Sequence, residues 1–457
     1  MHSRRRFIKI GAASVGSLAL RNFGLLPAMA QSAPGGYQAL VCVFMYGGND
    51  SNNMIIPESQ YTAYQSIRGT NNLALPTTAL TAPIADKSGN GYYFHGKMPL
   101  LAGLFGSGNL AVAANVGPLL KPVLKSQIGT PGYLPNNLFS HSDQQYEWQT
   151  SDSTELINPA YGWGGRAASL VQSLNSTNFP TLMSLSGNDL FGQGSTDQIE
   201  LNPGGNLNLT GFDYTLKQAR SAAMNNLLTT ETGLSLVDDA NGVMSQSISN
   251  AKALTTALTG ITLNTNFTAA SGSLGQQLKQ VALIMKGNQT GAGLGMKRQI
   301  FFCSLGGFDT HTGELEAHNN LYPQLDAAIS TFWAALAELG LQQNVVLFTE
   351  SDFSRTMQPT TTDGSDHAWG SHHMVVGAQG SLIGQTVYNS FPTFQLNGPN
   401  DFDGRGRWLP TAAVDEYGAA LCQWFGLTPP QIATVFPNLT TFTNAQKNPL
   451  NFFGLIT

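Results

Sequence analysis

The most strongly patterned stretch of the chain is Ala39-Leu40-Val41-Cys42-Val43-Phe44-Met45, apolar at every position and followed by Tyr46-Gly47-Gly48-Asn49-Asp50. A strand without polar alternation is buried on both faces, which predicts a central strand of a mainly parallel sheet covered by helices. Lys97 to Phe105 reads as a helix and Leu110 to Val116 as another buried strand. The pattern returns at Gln299 to Leu305, followed by Gly306-Gly307-Phe308-Asp309-Thr310-His311, and at Asn344 to Phe348, which runs into Thr349-Glu350-Ser351-Asp352. A long helix is predicted across Leu321 to Leu339 between them. This alternation predicts an α/β fold. Three of its strands run into acidic residues, and the carboxyl ends of strands are where open α/β sheets bind ligands.

Between about Gly205 and Gly295 the chain changes to Asn, Thr, Ser, Gly and Ala with scattered Leu. Apolar residues still recur at helical spacing in Asp213 to Leu227 and Leu274 to Met285, so 205–295 reads as an insertion or cap beside the sheet. Gly287 to Gly293 reads as loop. No repeat of fixed period is present, and Phe452-Phe453 near the end is expected to dock on the body.

The N-terminus changes the picture. Ser3-Arg4-Arg5-Arg6-Phe7-Ile8-Lys9, a modest apolar run from Ile10 to Leu20, and Ala28-Met29-Ala30 have the layout of a twin-arginine export signal cut before Gln31. The run is too short and too rich in Gly, Ala and Ser for a stable membrane span, which needs about 20 strongly apolar residues. The expected organisation is a signal peptide over 1–30 and one domain over 31–457, handled by the twin-arginine export machinery and located in the periplasm or outside the cell. The signal holds Arg4, Arg5, Arg6, Lys9 and Arg21 and no acid, so removing those five from 22 basic residues leaves 17 against 27 acidic ones, a formal charge of −10. Such a balance argues against nucleic-acid binding by phosphate neutralisation. Cys42 and Cys303 lie in apolar runs, and no disulfide framework is expected from three cysteines.

Candidate chemistry gathers in Asp50, Ser140-His141-Ser142-Asp143, Asp309-Thr310-His311, His318, Asp352 and Asp366-His367-Ala368-Trp369-Gly370-Ser371-His372-His373. Carboxylate oxygens and imidazole nitrogens are ligands for divalent cations, and a site drawn from several strand ends could hold two ions about 4 Å apart, as in ester hydrolysis. Plainer roles exist for several of them. Asp50 can satisfy turn backbone groups, Asp309-Thr310 can cap a helix, and His318 can be a solvated or satisfied histidine. The segment from Asp366 to His373, read as a loop with three histidines, is hard to explain as structure alone.

The stretches Val43 to Asp50 with Asn53, Ser140-His141 with Trp148, Gly162-Trp163 with Gly165-Arg166, Gly306 to His311, Thr349 to Arg355, and Asp366 to Gly370 resemble an uncharacterised, twin-arginine-exported bacterial family. That family is a domain of unknown function in the alkaline phosphatase/sulfatase clan. The resemblance spans about residues 37 to 430. It implies an alkaline phosphatase-like three-layer αβα sandwich with two divalent metals, whose identity among Zn, Mg, Mn and Ca stays open. Carried over, Asp50, Asp309, His311, Asp352 and His367 with His372 or His373 are the implied ligands. Ser140 is the first candidate nucleophile and Ser142 the second, and Arg166 or Arg355 would steady the oxygens of the transferred group. The clan usually has His directly after the acid that is Asp352 here, whereas this chain has Phe353. No cysteine lies in the nucleophile segment, which argues against formylglycine-type sulfatase chemistry. The expected activity is hydrolysis of phosphate or related esters on a small-molecule or polymer substrate. The alternative is a catalytically silent binding or matrix protein on the same fold.

Overall fold

The computed structural model describes residues 36–69, 73–154, 161–196, 198–204, 217–230, 233–290, 293–442 and 449–455. The expected signal segment lies outside the described residues, as do 213–216 of the first helix expected in the insertion.

Twelve strands are present among the described residues: β1 (Gln38–Tyr46), β2 (Ile55–Pro57), β3 (Ile84–Ala85), β4 (Gly91–Phe94), β5 (Leu110–Gly117), β6 (Leu182–Ser184), β7 (Ile199–Glu200), β8 (Arg298–Gly306), β9 (Val345–Ser351), β10 (Ser371–Gly377), β11 (Val387–Tyr388) and β12 (Ala412–Ala413). Nine of them form one sheet in the order β11-β5-β10-β9-β1-β8-β6-β7, with β12 also paired to β5, while β2, β4 and β3 make a small separate sheet. In the large sheet β1 pairs in parallel with both β8 and β9, and β10 alone runs antiparallel to its neighbours β9 and β5. The α-helices are α1 (Ser51–Met54), α2 (Tyr61–Arg68), α3 (Pro99–Gly106), α4 (His141–Thr150), α5 (Trp163–Val171), α6 (Lys217–Leu228), α7 (Ser235–Leu258), α8 (Ser273–Gln289), α9 (Glu314–Leu339), α10 (Val414–Trp424) and α11 (Pro429–Val435).

Successive side chains of a strand point to opposite faces, and β1 shows the result directly. Ala39, Val41, Val43 and Met45 enter a core with Leu101 and Phe105 of α3, Leu278 and Val281 of α8, and Leu325 and Ile329 of α9. Leu40, Cys42 and Phe44 enter a second core with Trp163 and Ala167 of α5, Tyr417 and Leu421 of α10, and Ile432 of α11. Helices therefore cover both faces, as the unbroken apolar strands require. Each fully buried Val, Leu, Ile or Phe contributes roughly 1.5–3 kcal/mol, so the two cores fix the sheet register firmly. Cys42, Cys303 and Cys422 are free and buried. Phe452 and Phe453 pack into the second core.

Of the insertion, α8 packs on α9 and β8, whereas α7 buries only its later residues Asn250, Leu254 and Ala257. Its earlier residues Leu236, Val243 and Met244 are exposed. Among the described residues no helix is long and apolar enough to cross a membrane.

Candidate metal centre

The central strands β8, β1 and β9 are adjacent and parallel, so the segments that follow them meet at one edge of the sheet. Their approach depends on Gly47 and Gly48, which have φ values of +111° and +81°. A Cβ at Gly47 would lie 2.4 Å from the Asp309 nitrogen, and one at Gly48 would lie 2.3 Å from the Phe353 ring. Only glycine allows the β1 turn to nest between the segments carrying Asp309 and Asp352. Because β10 runs the opposite way, its start lies at this same edge and brings His367 to it. Helix α4 contributes His141 from its first residue.

Four side chains converge there. Asp309 Oδ1 lies 3.4 Å from His141 Nε2, 3.1 Å from His311 Nε2 and 3.5 Å from His367 Nε2. His311 Nε2 and His367 Nε2 are 2.9 Å apart. Each imidazole is fixed through its other nitrogen: His141 Nδ1 on Asp352 at 2.7 Å, His311 Nδ1 on Asp366 at 3.2 Å, and His367 Nδ1 on the Phe139 carbonyl at 2.6 Å. In the tautomer that protonates each Nδ1 for these partners, each Nε2 is left as a ligand atom facing Asp309. In that tautomer the Nε2 lone pairs and the Asp309 carboxylate repel one another unless a cation lies between them, whereas protonated rings pair with Asp309 directly. Donors about 2.0–2.2 Å from a tetrahedral ion stand about 3.3–3.6 Å apart, close to the distances from Asp309 to His141 and His367. His141, Asp309 and His367 offer ligand atoms that all lie within 4.8 Å of one another. The buried His141 Nε2 lacks any hydrogen-bond partner. The donor set thus suits a divalent ion.

Supporting contacts hold this set. Asp352 is buried, takes Gln145 Nε2 at 2.8 Å as well as His141, and accepts from the Gly47 nitrogen at 3.2 Å. Arg355 Nη2 reaches Asp309 at 2.6 Å, while its other donors go to the Gly48 and Ser365 carbonyls. Burial pushes the Asp309 carboxyl up, but the Arg355 guanidinium outweighs it and holds the group below its ordinary range. The Asp352 hydrogen bond raises His141, whereas burial lowers His367. Phe353 lies against both rings, 4.8 Å from His141 and 4.6 Å from His367. Phe139 has φ +73°, an unusual conformation for a bulky residue. It is clamped by Arg407, which stacks 4.3 Å over its ring and donates to the His367 carbonyl at 2.7 Å.

Other expected site residues lie elsewhere. Asp50 does not join the cluster; it is fully buried and both its oxygens take Arg68, with Glu314 and His318 beside it. Asp50, Glu314 and His318 form a second group of ligand atoms within 4.8 Å of one another, with the Arg68 guanidinium already seated against Asp50. His372 and His373 belong to β10, not to a loop, and alternation sends them to opposite faces. His372 accepts from the Asn115 nitrogen at 2.9 Å and packs on Phe391, while His373 packs on Trp148 and Tyr417. Arg166 spends its donors on the carbonyls of Thr150, Tyr161 and Val435, joining three segments of backbone. Arg355 is wholly buried and committed to Asp309 and carbonyls, so it orients the carboxylate rather than meeting solvent. The Ser140 hydroxyl bonds to Asp143 and Ser142, and Ser142 likewise bonds to Asp143. Sequence reasoning had assigned no ligand role to His141, because the flanking serines drew the nucleophile reading. The orienting roles of Asp366 and Phe139 depend on contacts across the chain and left no local signal.

The solved structures offer a distant likeness: Ps i-CgsB in complex with k-i-k-neocarrahexaose aligns with a TM-score of 0.38 and 8% identity, over 90% of this chain and 78% of that one. That is too remote to argue from. No curated protein sequence is detectably similar. One family matches residues 37–392, a span that includes β1, β8, β9, β10 and every residue of the converging cluster. The chain belongs to that family, described as Protein of unknown function (DUF1501).

Proposed function

We propose that the chain is an exported, metal-dependent hydrolase of phosphate or related esters on an alkaline phosphatase-like fold, built around one ion and not two. The observation that supports it is the convergence of three Nε2 atoms on Asp309, each ring fixed through its Nδ1. Asp309, His141 and His367 would hold the ion, with His311 beside Asp309 and His367. A set led by imidazole nitrogens favours zinc or another first-row ion over calcium or magnesium. When bound, it supplies Lewis-acid polarisation of the ester oxygen. Asp352, Asp366 and the Phe139 carbonyl keep the Nδ1 protons in place, so the rings cannot turn away. Phe353 excludes water from the inner side of the His141–His367 pair. Arg405, a third exposed and bonded to Asp366 at 2.6 Å, is the guanidinium best placed at the rim to meet an anionic group. With both serine hydroxyls turned to Asp143, attack by water is favoured over a serine route.

A metal-binding but silent protein is the second reading, because both serine hydroxyls are turned to Asp143 and Phe353 stands where the clan usually has a histidine. Elemental analysis of wild type beside Asp309→Ala and His367→Ala, with a phospho- and sulfo-ester screen on the same samples, separates the two. About one ion per chain, lost in both variants together with turnover, supports the hydrolase. An ion without turnover supports the silent reading, and no stoichiometric ion in wild type overturns both.

A further inference from the structure

On the sheet edge formed by β7, facing α7, lies a cavity of about 720 Å³ that no part of the metal centre enters. Its size suits a ligand of several rings. The wall is rich in carboxamides, among them Asn202, Gln246 and Asn250, with the Tyr161 hydroxyl beside them and Leu254 behind. Asn250 is 8% exposed, and its Oδ1 accepts from Gln246 Nε2 at 2.9 Å. Among the described residues its Nδ2 has no protein partner, nor has the Asn202 side chain. Both amides therefore keep donors open to whatever occupies the cleft.

The chemistry narrows the occupant. The lining holds no Lys, Arg or His, and Glu200 is its one charged residue, so a phosphate or sulfate group has nothing to pair with. An extended peptide would be recognised by pairing along an open strand edge. Here β7 has two residues, too few for such a ladder. Carboxamides that both donate and accept match a ligand whose groups also do both, as vicinal hydroxyls do. We propose that this cleft binds a neutral, polyhydroxylated ligand, a segment of a carbohydrate chain.

The cleft is mechanically tied to the metal centre without overlapping it. Helix α4 carries His141 at its start and Gln149 near its end, where Gln149 Oε1 accepts from the Leu190 and Phe191 nitrogens, both at 3.0 Å. The chain then enters the cleft wall at Gln193. Along the helix, His141 and Gln149 are about 12 Å apart. The inference is independent of the hydrolase reading, since it needs neither metal nor turnover.

The test is calorimetric titration of the full chain with a panel of neutral gluco-, xylo-, manno- and galacto-hexasaccharides, with a neutral hexapeptide as the competing class. Saturable binding of at least one oligosaccharide is expected, weakened tenfold or more in Asn250→Leu and in Tyr161→Ala, with metal content unchanged. Should Asn250→Leu fail to fold, the exposed Asn202→Ala tests the same wall. Binding by no oligosaccharide, equal binding by the folded variants, or preference for the peptide would overturn the proposal. Loss of metal binding in Asp309→Ala with oligosaccharide binding intact would show the two sites to be separate.

Discussion

Replacing Asp352 by Asn distinguishes a ligand from a residue that orients one. Asp352 was expected to bind metal, but its oxygens are taken by His141 Nδ1, Gln145 Nε2 and the Gly47 nitrogen. Three donors thus point at one buried carboxylate. Asparagine keeps a single acceptor oxygen and adds an NH2, so at least one of these donors loses its acceptor and faces the new NH2 instead. Leaving one buried group unsatisfied costs about 1–3 kcal/mol of stability. For metal binding, loss of an outer partner typically costs about 10- to 100-fold, or about 1.4–2.7 kcal/mol. Competition of the purified protein against a chromogenic zinc chelator measures the affinity, and urea unfolding in excess chelator measures stability without the ion. The expected result is an intermediate affinity for Asp352→Asn beside complete loss in Asp309→Ala. Loss as complete as in Asp309→Ala would make Asp352 a direct ligand, and an affinity within about threefold of wild type would refute the orienting role.

Three further outcomes follow from the same geometry. Arg68→Met should destabilise the chain by about 3–5 kcal/mol in urea unfolding at pH 7, because it strands the fully buried Asp50. The double variant Asp50→Leu/Arg68→Met should recover much of that loss. Burial raises Asp50, yet Arg68 outweighs it and holds the group below its ordinary range. The pair's contribution is therefore present at neutral pH and lost as pH falls through the depressed folded value, and the double variant should show a flatter acid arm. Asp415 behaves oppositely: burial pushes it up to about 7, so the folded state holds an extra proton between about pH 4 and 7 and stability declines as pH rises through that window. Asp415→Asn should remove the decline and gain roughly 2–4 kcal/mol at pH 8 relative to wild type, read from urea midpoints across pH. Gly48→Ala should weaken metal binding by displacing Phe353 from the His141 and His367 rings, since the new methyl would sit 2.3 Å from that ring; unchanged chelator competition would contradict this.

Strand prediction succeeded where burial on both faces leaves an unbroken apolar run. The expected strand from Leu110 to Val116 is β5, Gln299 to Leu305 lies within β8, and the one from Asn344 extends through Ser351 as β9. The helix expected from Leu321 begins earlier, at Glu314, because a polar first turn hides its apolar face. Asp309, His311 and His367 were legible as candidates because each follows a strand or opens one. His372 and His373 misled because two adjacent imidazoles look like a loop; their continuation into Met374-Val375-Val376 was the signal for a buried strand. Asp50 is a separate case, outside the His141 cluster and beside Glu314 and His318. Whether a buried carboxylate meets a metal or an arginine depends on Arg68, eighteen positions away on α2 and invisible to local pattern.

The clamp around Phe139 reaches beyond the site it shapes. Phe139 and His367 are 228 positions apart, and their hydrogen bond joins the entry to α4 to the entry to β10. An ion seated among His141, His311, Asp309 and His367 would close those distant segments into one loop network, and opening it would require three parts of the chain to separate together. Ion loss would then register first as a change in rate, through faster unfolding and earlier proteolytic nicking of the connection from Pro118 to Phe139. The lifetime of the fold would then be set by how slowly that ion leaves.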